Sequence, residues 1–303
     1  MQEFVQQLFN GLSLGSIYAL IALGYTMIYG ILRFINFAHG DVFMIGAFSG
    51  FYLGNALGIT SDMGLAALPL SFVVLLGSMV ACSLLGFAIE KLAYKPLRNS
   101  PKLAILITAI GVSLFLEYTG QLVFGPDPKS FPTLIENKPV LNIAGAVIGT
   151  NPLAVLITAL VLMFVLRIIV MKTRIGTAMR AVSYNQTAAS LMGININRVI
   201  TFTFIIGSSL AGAAGILYGL NYPSIDPLMG ILPGLKAFVA AVLGGIGNIP
   251  GAALGGMIIG LVETFVVGYI SPTYRDAIAF GILILILLFK PTGILGKKEV
   301  EKV

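Results

Sequence analysis

The sequence has very little charge. Only 18 of its 303 residues are Lys or Arg and 12 are Asp or Glu, so charged residues make up 10% of the chain. Soluble globular domains carry about 25%. Hydrophobic residues reach 57%, and the mean hydropathy is +0.99. So few charges cannot cover the surface of a soluble fold of this length, which excludes that class and indicates an integral membrane protein.

Cysteine and histidine are almost absent as well. Cys82 lies inside an apolar run and His39 stands alone, which excludes an internal disulfide framework and a Cys/His metal site. The sequence has no combination of nucleophile, base and orienting residue, and no Gly-x-x-x-x-Gly-Lys-Ser/Thr loop for the phosphates of ATP. We therefore expect no catalytic residue, no metal and no cofactor in this chain.

Long uncharged runs are present instead. A bilayer core of roughly 30 Å needs about 20 apolar residues in a helix. Six runs carry no charge and two more are interrupted by only one or two charged residues; they cover 4–32, 42–61, 64–89, 139–166, 199–225 and 237–262, then 103–124 and 269–289. The first begins without a basic region, so we expect a retained helix there rather than a cleaved signal peptide.

The predicted fold is an all-α polytopic integral membrane protein, one domain over 1–303. It has eight transmembrane helices, or nine transmembrane or re-entrant helices if the chain breaks around Asn248-Ile249-Pro250. Glycines four residues apart, as at Gly11/Gly15 and Gly256/Gly260, are suited either to close packing of helices within the chain or to a dimerising face.

The basic residues indicate the orientation, because Lys and Arg in short loops stay on the cytoplasmic side of the membrane. Twelve of the 18 form three groups, which are Lys91, Lys95, Arg98 and Lys102; Lys172, Arg174, Arg180 and Arg198; and Lys290, Lys297, Lys298 and Lys302. The charges of 125–138 cancel, which predicts an external loop. We expect an external N-terminus and a cytoplasmic C-terminus, which requires nine crossings or a re-entrant pair. The +6 net charge lacks the basic and aromatic interleaving of nucleic-acid surfaces, so no nucleic-acid partner is expected.

The segment 172–198 is the longest predicted cytoplasmic loop. Helical spacing predicts one short helix with Ala181, Asn185, Ala188 and Leu191 or Met192 along one side, ended by Gly193. The small residues in its middle suit either a simple connecting helix or a helix that lies in the groove of a partner. Spacing alone leaves both interpretations open.

Four motifs resemble a known family. Thr187-Ala188-Ala189-x-x-x-Gly193 is similar to the Glu-Ala-Ala-x-x-x-Gly loop of ATP-binding-cassette importer permeases, with Thr187 in place of the glutamate. The other three motifs are Gly11-Leu-Ser-Leu-Gly15-Ser-Ile-Tyr18; Asn36-Phe-Ala-His39-Gly40-Asp41; and Leu243-Gly244-Gly245-Ile-Gly247-Asn248-Ile-Pro250-Gly251 followed by Gly260-Leu-Val-Glu263. Together they resemble the branched-chain amino acid permease family, LivH type, over essentially the whole chain.

The resemblance implies a set of partners and a location. They are a homologous permease in a heterodimer, two cytoplasmic ATP-binding subunits, a periplasmic substrate-binding protein and membrane lipid, at the bacterial inner membrane. It also implies that the segment 172–198 couples the permease to the ATPase, with these residues at the contact: Arg180, Asn185, Thr187, Ala188, Ala189 and Gly193.

Several polar residues and glycines are candidates for a pathway or gate. Asn36, His39 and Asp41 follow the first span and either face the membrane border or line a path exposed by a broken helix. Glu117 and Glu263 lie inside spans, where carboxylates are costly.

For these two carboxylates we keep four alternatives: an ion pair with Arg167 or Lys236, capping at the end of a span, protonation, or contact with a substrate amine. Gly245 and Gly247 either pack a tight break between helices or bring helix N–H groups to a carboxylate.

The function that these observations favour is a non-catalytic permease subunit that moves leucine, isoleucine and valine, energised by partner ATPases. Alternatives are the same family acting on urea, other amino acids or amides, and, from a different class, a self-sufficient channel or secondary transporter.

Overall fold

The computed structural model describes residues 2–60, 63–64, 67–98, 100–143 and 145–296. Its α-helices are α1 (Gln2–Leu32), α2 (His39–Ala56), α3 (Ala67–Ile89), α4 (Lys102–Phe124), α5 (Thr150–Lys172), α6 (Arg174–Tyr184), α7 (Gln186–Leu191), α8 (Ile196–Asn221), α9 (Ile231–Gly244), α10 (Ile249–Tyr269) and α11 (Arg275–Phe289). A π-helical turn, Glu90–Tyr94, extends α3, and a 3₁₀ turn, Pro272–Tyr274, precedes α11.

Seven helices of the described residues are long and apolar enough to cross a membrane, and they are α1, α3, α4, α5, α8, α10 and α11. α11 reaches this length together with the 3₁₀ turn before it. Two further helices are α2 with 18 residues and the shorter apolar α9 with 14. The chain breaks between α9 and α10 around Asn248, whose side chain caps α10 by accepting from the Gly251 N–H at 3.1 Å. The all-α polytopic prediction is confirmed, and α9 and α10 are separate helices, as the predicted break around Asn248 requires.

Four short strands accompany the helices: β1 (Lys129–Ser130), β2 (Pro139–Ile143), β3 (Ala146–Gly149) and β4 (Ser224–Ile225). β1 pairs antiparallel with β4, and β2 and β3 form a hairpin. The prediction that a span begins at 139 is wrong, because that run is longer than one bilayer crossing needs and its first part turns at Gly145 to pair as strands. The helix instead runs on through Arg167, whose long side chain is exposed.

Small residues let the buried central helix α1 approach α10 closely. A Cβ at Gly15 would lie 2.8 Å from the Cα of Met257, and one at Gly11 would lie 3.0 Å from the Cα of Leu261. Because these glycines contact another helix of the same chain, they support close packing within the chain rather than a dimerising face.

The two ends of the helix bundle differ in charge. We call the end that carries α6, α7 and the turn 245–248 the α6–α7 end, and the opposite one, which carries β2 and β3, the hairpin end. Charged residues at the α6–α7 end are mostly basic, whereas the hairpin end has both signs, as in the exposed Lys138–Glu136 pair at 2.7 Å. Lys297, Lys298 and Lys302 lie outside the described residues.

Candidate functional site

The N-termini of the two short helices α2 and α9 meet inside the bundle. A Cβ at Gly40, in the first turn of α2, would lie 2.6 Å from the carbonyl oxygen of Gly230, the residue before α9. From this junction α2 runs toward the hairpin end, where Gly54 contacts Pro132, and α9 runs to the α6–α7 end. Neither helix has a side-chain cap at its N-terminus. Two discontinuous helices meeting inside a membrane bundle are typical of the solute sites of transporters.

A cavity of about 190 Å³ lies at this junction. Its lining residues come from α1, α2, α4 and α9 and from the turns before α2 and α9, and they are Tyr25, Phe37, Gly40, Asp41, Ile110, Ser113, Leu114, Glu117, Gly230, Ile231, Gly234 and Leu235. Most of the wall is apolar. The structure therefore brings Asp41 and Glu117, two of the predicted pathway residues, to one small and mainly apolar chamber.

The two carboxylates of the cavity share a serine. Ser113 donates a hydrogen bond to Asp41, and its hydroxyl lies 3.5 Å from the Oε1 atom of Glu117 on the next turn of α4. Asp41 is 2% exposed, whereas Glu117 is half-buried. Of the partners expected for Glu117, neither Arg167 nor Lys236 forms an ion pair with it among the described residues.

Asn36 and His39 lie beside the cavity but are not among its lining residues. The Tyr94 hydroxyl donates to Asn36 Oδ1 at 2.6 Å, which ties the turn before α2 to the end of α3. The imidazole of His39 is completely buried and meets Tyr25 edge-on, with ring centroids 4.8 Å apart. It occupies space left by Gly24, where a side chain would overlap the ring. Asn36 and His39 are both enclosed by protein rather than exposed at the surface of the bundle.

Tyr25 separates the cavity from a smaller one. A second pocket of about 10 Å³, toward the α6–α7 end, is lined by Tyr25, Tyr29, Ile35, Phe238, Ala241 and Ile246. Tyr25 borders both pockets, and its ring lies edge-on to Phe238 with centroids 6.1 Å apart. Tyr25 is therefore shared by two pockets that are both lined by α9.

Glu263 lies outside the cavity, in an ion-pair cluster of which Glu263 and Lys236 are buried and Arg275 and Asp276 are partly exposed. Lys236 Nζ is 3.1 Å from Glu263 Oε1 and 2.6 Å from Asp276 Oδ1. Arg275 also pairs with Glu263, and the Tyr18 hydroxyl donates to it at 3.0 Å. Two cations thus face two anions among α9, α10 and α11. Of the expected partners, Lys236 pairs with Glu263 and Arg167 does not.

Gly245 and Gly247 form the turn between α9 and α10 at the α6–α7 end, away from the cavity. Gly245 has a φ of +103°, a left-handed conformation that glycine adopts readily. The chain after α11 packs on this turn, since the Ile294 N–H donates to Leu243 at 2.8 Å and the Leu295 N–H to Gly244 at 3.0 Å. These glycines therefore pack a tight break, and the N–H groups of α10 do not face the cavity.

The segment 172–198 contains two helices, not one. Asn185 has an extended backbone that ends α6, and its side chain caps α7 by accepting from the Ala188 N–H at 2.9 Å. The predicted side of a single helix is therefore wrong, because the cap at Asn185 breaks the periodicity. Gly193 ends α7 with a φ of +82°, as expected, while the Ile194 N–H donates to Ala189 at 3.0 Å.

The tip of this segment is exposed and partly apolar. Leu191 and Met192 are 82% and 83% exposed. Of the residues predicted at the ATPase contact, Ala189 is buried and the others are exposed, namely Arg180, Asn185, Thr187, Ala188 and Gly193. The segment is tied to the end of α1, because Ser183 Oγ donates to Gly30 at 2.6 Å and Gln186 Nε2 to Ile31 at 2.8 Å.

Sequence reasoning did not find Tyr25, Ser113 and Gly230. All three line the cavity with residues distant in sequence. For Ser113 a signal was present in the sequence, because it lies four residues before Glu117 and therefore on the same face of a helix. Tyr25 and Gly230 carry no comparable signal, because an apolar helix and a glycine-rich turn are common throughout this chain.

Comparisons with known proteins give a consistent result. The family described as branched-chain amino acid transport system / permease component matches residues 7–287. The high-affinity branched-chain amino acid transport system permease protein BraD of Pseudomonas aeruginosa is 45% identical over 99% of this chain and 98% of its own. The high-affinity permease protein LivH of Escherichia coli K12 is 46% identical with the same coverage.

Similarity extends to more distant sequences. A probable branched-chain amino acid transport permease protein LivH of Methanocaldococcus jannaschii is 30% identical over 91% of this chain and 88% of its own. Among solved structures, PsaBC from Streptococcus pneumoniae in complex with Fab covers 95% of this chain and 92% of its own, at 12% identity and a TM-score of 0.49.

Proposed function

The chain belongs to the family of permease components of branched-chain amino acid transport systems, and on that premise we propose that it forms the membrane path of an ATP-binding-cassette importer for leucine, isoleucine and valine. The observation that carries the proposal is the 45–46% identity to high-affinity permeases over 99% of the chain. It is a multi-pass membrane protein with seven helices of spanning length among its described residues.

The proposed assembly contains the subunits that the family resemblance implies. This chain pairs with a homologous permease, two ATP-binding subunits dock on the α6–α7 end, and a periplasmic binding protein delivers the solute at the hairpin end. The basic residues at the α6–α7 end support a cytoplasmic position for that end, and hence an inner-membrane protein with its C-terminus inside. The chain itself catalyses no covalent reaction in this proposal, and ATP is hydrolysed on the partner chains.

The segment 172–198 is the proposed coupling segment within a single permease domain. Its exposed apolar tip at Leu191 and Met192 suits a protein partner better than water. A displacement of α7 would act on the end of α1 through the hydrogen bonds from Ser183 and Gln186. Because α1 also carries Tyr25, this contact offers a physical link between the ATPase surface and the cavity.

The proposed pathway runs from the hairpin end through the cavity and past Tyr25 to the α6–α7 end. Asp41 and Glu117 line it directly. Asn36 and His39 position the turn and the first residue of α2. Glu263 lies outside the cavity and anchors α9 through its ion pair with Lys236. Gly245 and Gly247 form the turn at the end of α9.

Two alternatives remain testable. Members of one family can act on related solutes, so urea, other amino acids or amides are candidates. A self-sufficient channel or secondary transporter is disfavoured by the 45–46% identity to permease proteins of high-affinity branched-chain amino acid transport systems.

Reconstituted uptake tests the proposal. The chain would be purified with its partner permease and ATPases, placed in proteoliposomes, and supplied with binding protein and a panel of leucine, isoleucine, valine, other amino acids and urea. We expect ATP-dependent uptake of the three branched-chain amino acids. Uptake of urea alone would contradict the substrate, and uptake without ATPases and binding protein would contradict the transporter class.

A further inference from the structure

A buried carboxylate without a cation lines the cavity. Asp41 is 2% exposed and accepts a hydrogen bond from Ser113. Among the residues that the structure describes, no Lys or Arg nitrogen lies within 4.0 Å of the carboxylates of Asp41 or Glu117. A buried charge is costly unless it is paired. A carboxylate without a counterion at the wall of a cavity is therefore suited to binding a cationic solute.

Glu263 provides a comparison inside the same molecule. It is also 2% exposed, but Lys236 and Arg275 both pair with it. Among the described residues, cations therefore neutralise the buried carboxylate that lies outside the cavity, whereas the one at the cavity wall has no counterion. This difference points to a role for Asp41 in binding a solute rather than in stabilising the fold.

The other residues of the cavity wall, together with its volume, indicate the size and polarity of that solute. Apolar side chains of Phe37, Ile110, Leu114, Ile231 and Leu235 surround the carboxylates. At about 190 Å³, the cavity is smaller than pockets for drug-sized ligands, which span roughly 300–1,000 Å³. A small molecule with one cationic group and an aliphatic body fits both the size and the chemistry.

We propose that Asp41, together with Ser113 and Glu117, receives the α-ammonium group of an aliphatic amino acid in this cavity. The inference rests on the proposed function and adds to it the group of the substrate that the permease itself recognises. Ser113 orients the Asp41 carboxylate through its hydrogen bond. The half-buried Glu117, one turn further along α4, provides a second acceptor next to the first.

The opposite charge of the amino acid has a place in the same cavity. The uncapped N-termini of α2 and α9 border it at Gly40 and Gly230. The N-terminal end of a helix carries a partial positive charge and favours a carboxylate. A zwitterion is therefore accommodated at both ends, with Asp41 as the group that discriminates for the amine.

Protection of a cysteine in the cavity wall tests this inference without the binding protein. Leu114 lines the cavity and is 45% exposed, whereas Cys82 is completely buried. In the assembled transporter carrying Leu114→Cys, modification at position 114 by a small thiol reagent would be followed by mass spectrometry. The probes are leucine, 3-methylbutylamine, which keeps the amine, and 4-methylpentanoate, which lacks it.

We expect leucine and 3-methylbutylamine to slow the modification and 4-methylpentanoate to leave it unchanged. Adding Asp41→Asn should weaken protection by leucine about tenfold, because it removes the charge from the hydrogen bond with the ammonium group. Asp127→Asn, on the exposed loop at the hairpin end, is the matched control. In this variant leucine should protect position 114 as well as it does in the parent. Asp41→Asn should also lower leucine uptake while the loaded binding protein still stimulates the ATPase.

Three results would overturn the inference: no protection by any amine, equal protection by 4-methylpentanoate and leucine, or full protection with Asp41→Asn in place. If Asp41→Asn fails to assemble, the comparison of the three probes on the parent still decides. The outcome is distinguishable from failure of the proposed function. If the parent transports leucine without amine-dependent protection, only this inference fails, whereas a parent that transports no branched-chain amino acid contradicts the function.

Discussion

Gly40 and Gly230 lie backbone against backbone, so that the first turn of α2 touches the start of α9. A Cβ at Gly40 would lie 2.6 Å from the carbonyl oxygen of Gly230 and 3.2 Å from the Cα of Gly234. No side chain separates the two helices at this point. The contact holds one wall of the cavity, and the dimensions of the cavity therefore depend on it.

Gly40→Ala should force these helices apart. Overpacking of this kind costs about 1–3 kcal/mol, so we expect a lower melting temperature of the detergent-solubilised transporter and a loss of most leucine uptake. Gly111→Ala on α4 is the control, because a Cβ there would meet nothing within 4 Å. Wild-type uptake by Gly40→Ala would show that the close contact is dispensable.

Lys236→Met should destabilise the protein through the buried cluster. Among the described residues it leaves Glu263 paired with Arg275 alone and removes the one cation paired with Asp276. Removing one partner of a buried pair costs about 3–5 kcal/mol, and the remaining arginine keeps the expected effect near the lower end. Thermal unfolding monitored by fluorescence would measure it.

A surface pair provides the control for Lys236→Met. Lys138 and Glu136 form an exposed ion pair, with side chains 66% and 41% exposed, and such pairs contribute about 0–1 kcal/mol. Lys138→Met should therefore leave the melting temperature almost unchanged. Equal shifts for the two variants would mean that the buried cluster contributes no more than a surface pair.

Tyr25→Ala should join the two pockets that the tyrosine now separates. The expected result is several-fold faster escape of preloaded leucine from proteoliposomes in the absence of ATP. Tyr25→Phe keeps the ring that contacts His39 and Phe238, so proteoliposomes with this variant should retain leucine as the parent does. If Tyr25→Ala liposomes retain leucine as well as the parent does, Tyr25 is not a barrier in the pathway.

Ala188→Trp should uncouple the permease from its ATPases. Ala188 is exposed at the tip of the segment 172–198, so the indole would disturb a docking surface without disturbing the core. We expect normal insertion into the membrane and at least several-fold weaker stimulation of ATPase activity by the loaded binding protein. Asn142→Trp, exposed on β2 at the opposite end, is the control. Undiminished stimulation in Ala188→Trp would argue against a coupling contact at this position.

Local patterns predicted much of the fold. The apolar runs located the helices, and the break near Asn248 was readable because Asn, Pro and paired glycines end helices for local reasons. The run from 139 failed because hydrophobicity alone does not distinguish a span from an exposed apolar hairpin. The single helix through Asn185 failed because its side chain caps α7 locally, and a cap overrides an otherwise helical periodicity.

The candidate site was only partly predictable for a different reason. Glu117 and Glu263 were suspected because carboxylates are costly in a membrane, and Asp41 because it follows the first span beside Gly40. Their separate roles depend on neighbours far along the chain: Ser113 beside Asp41, and Lys236 and Arg275 around Glu263. No pattern within one segment encodes which cation reaches which anion.

The sequence by itself determined that this is a membrane protein, since a chain with 10% charged and 57% hydrophobic residues cannot cover its surface with polar groups in water. Its clustered basic residues and motifs also determined the orientation that we predict and the family to which it belongs. Only the tertiary structure decided that the starts of α2 and α9 meet at Gly40 and Gly230. Burial, ion pairing and cavities are properties of contacts between distant segments, and those contacts arise only when the helices pack.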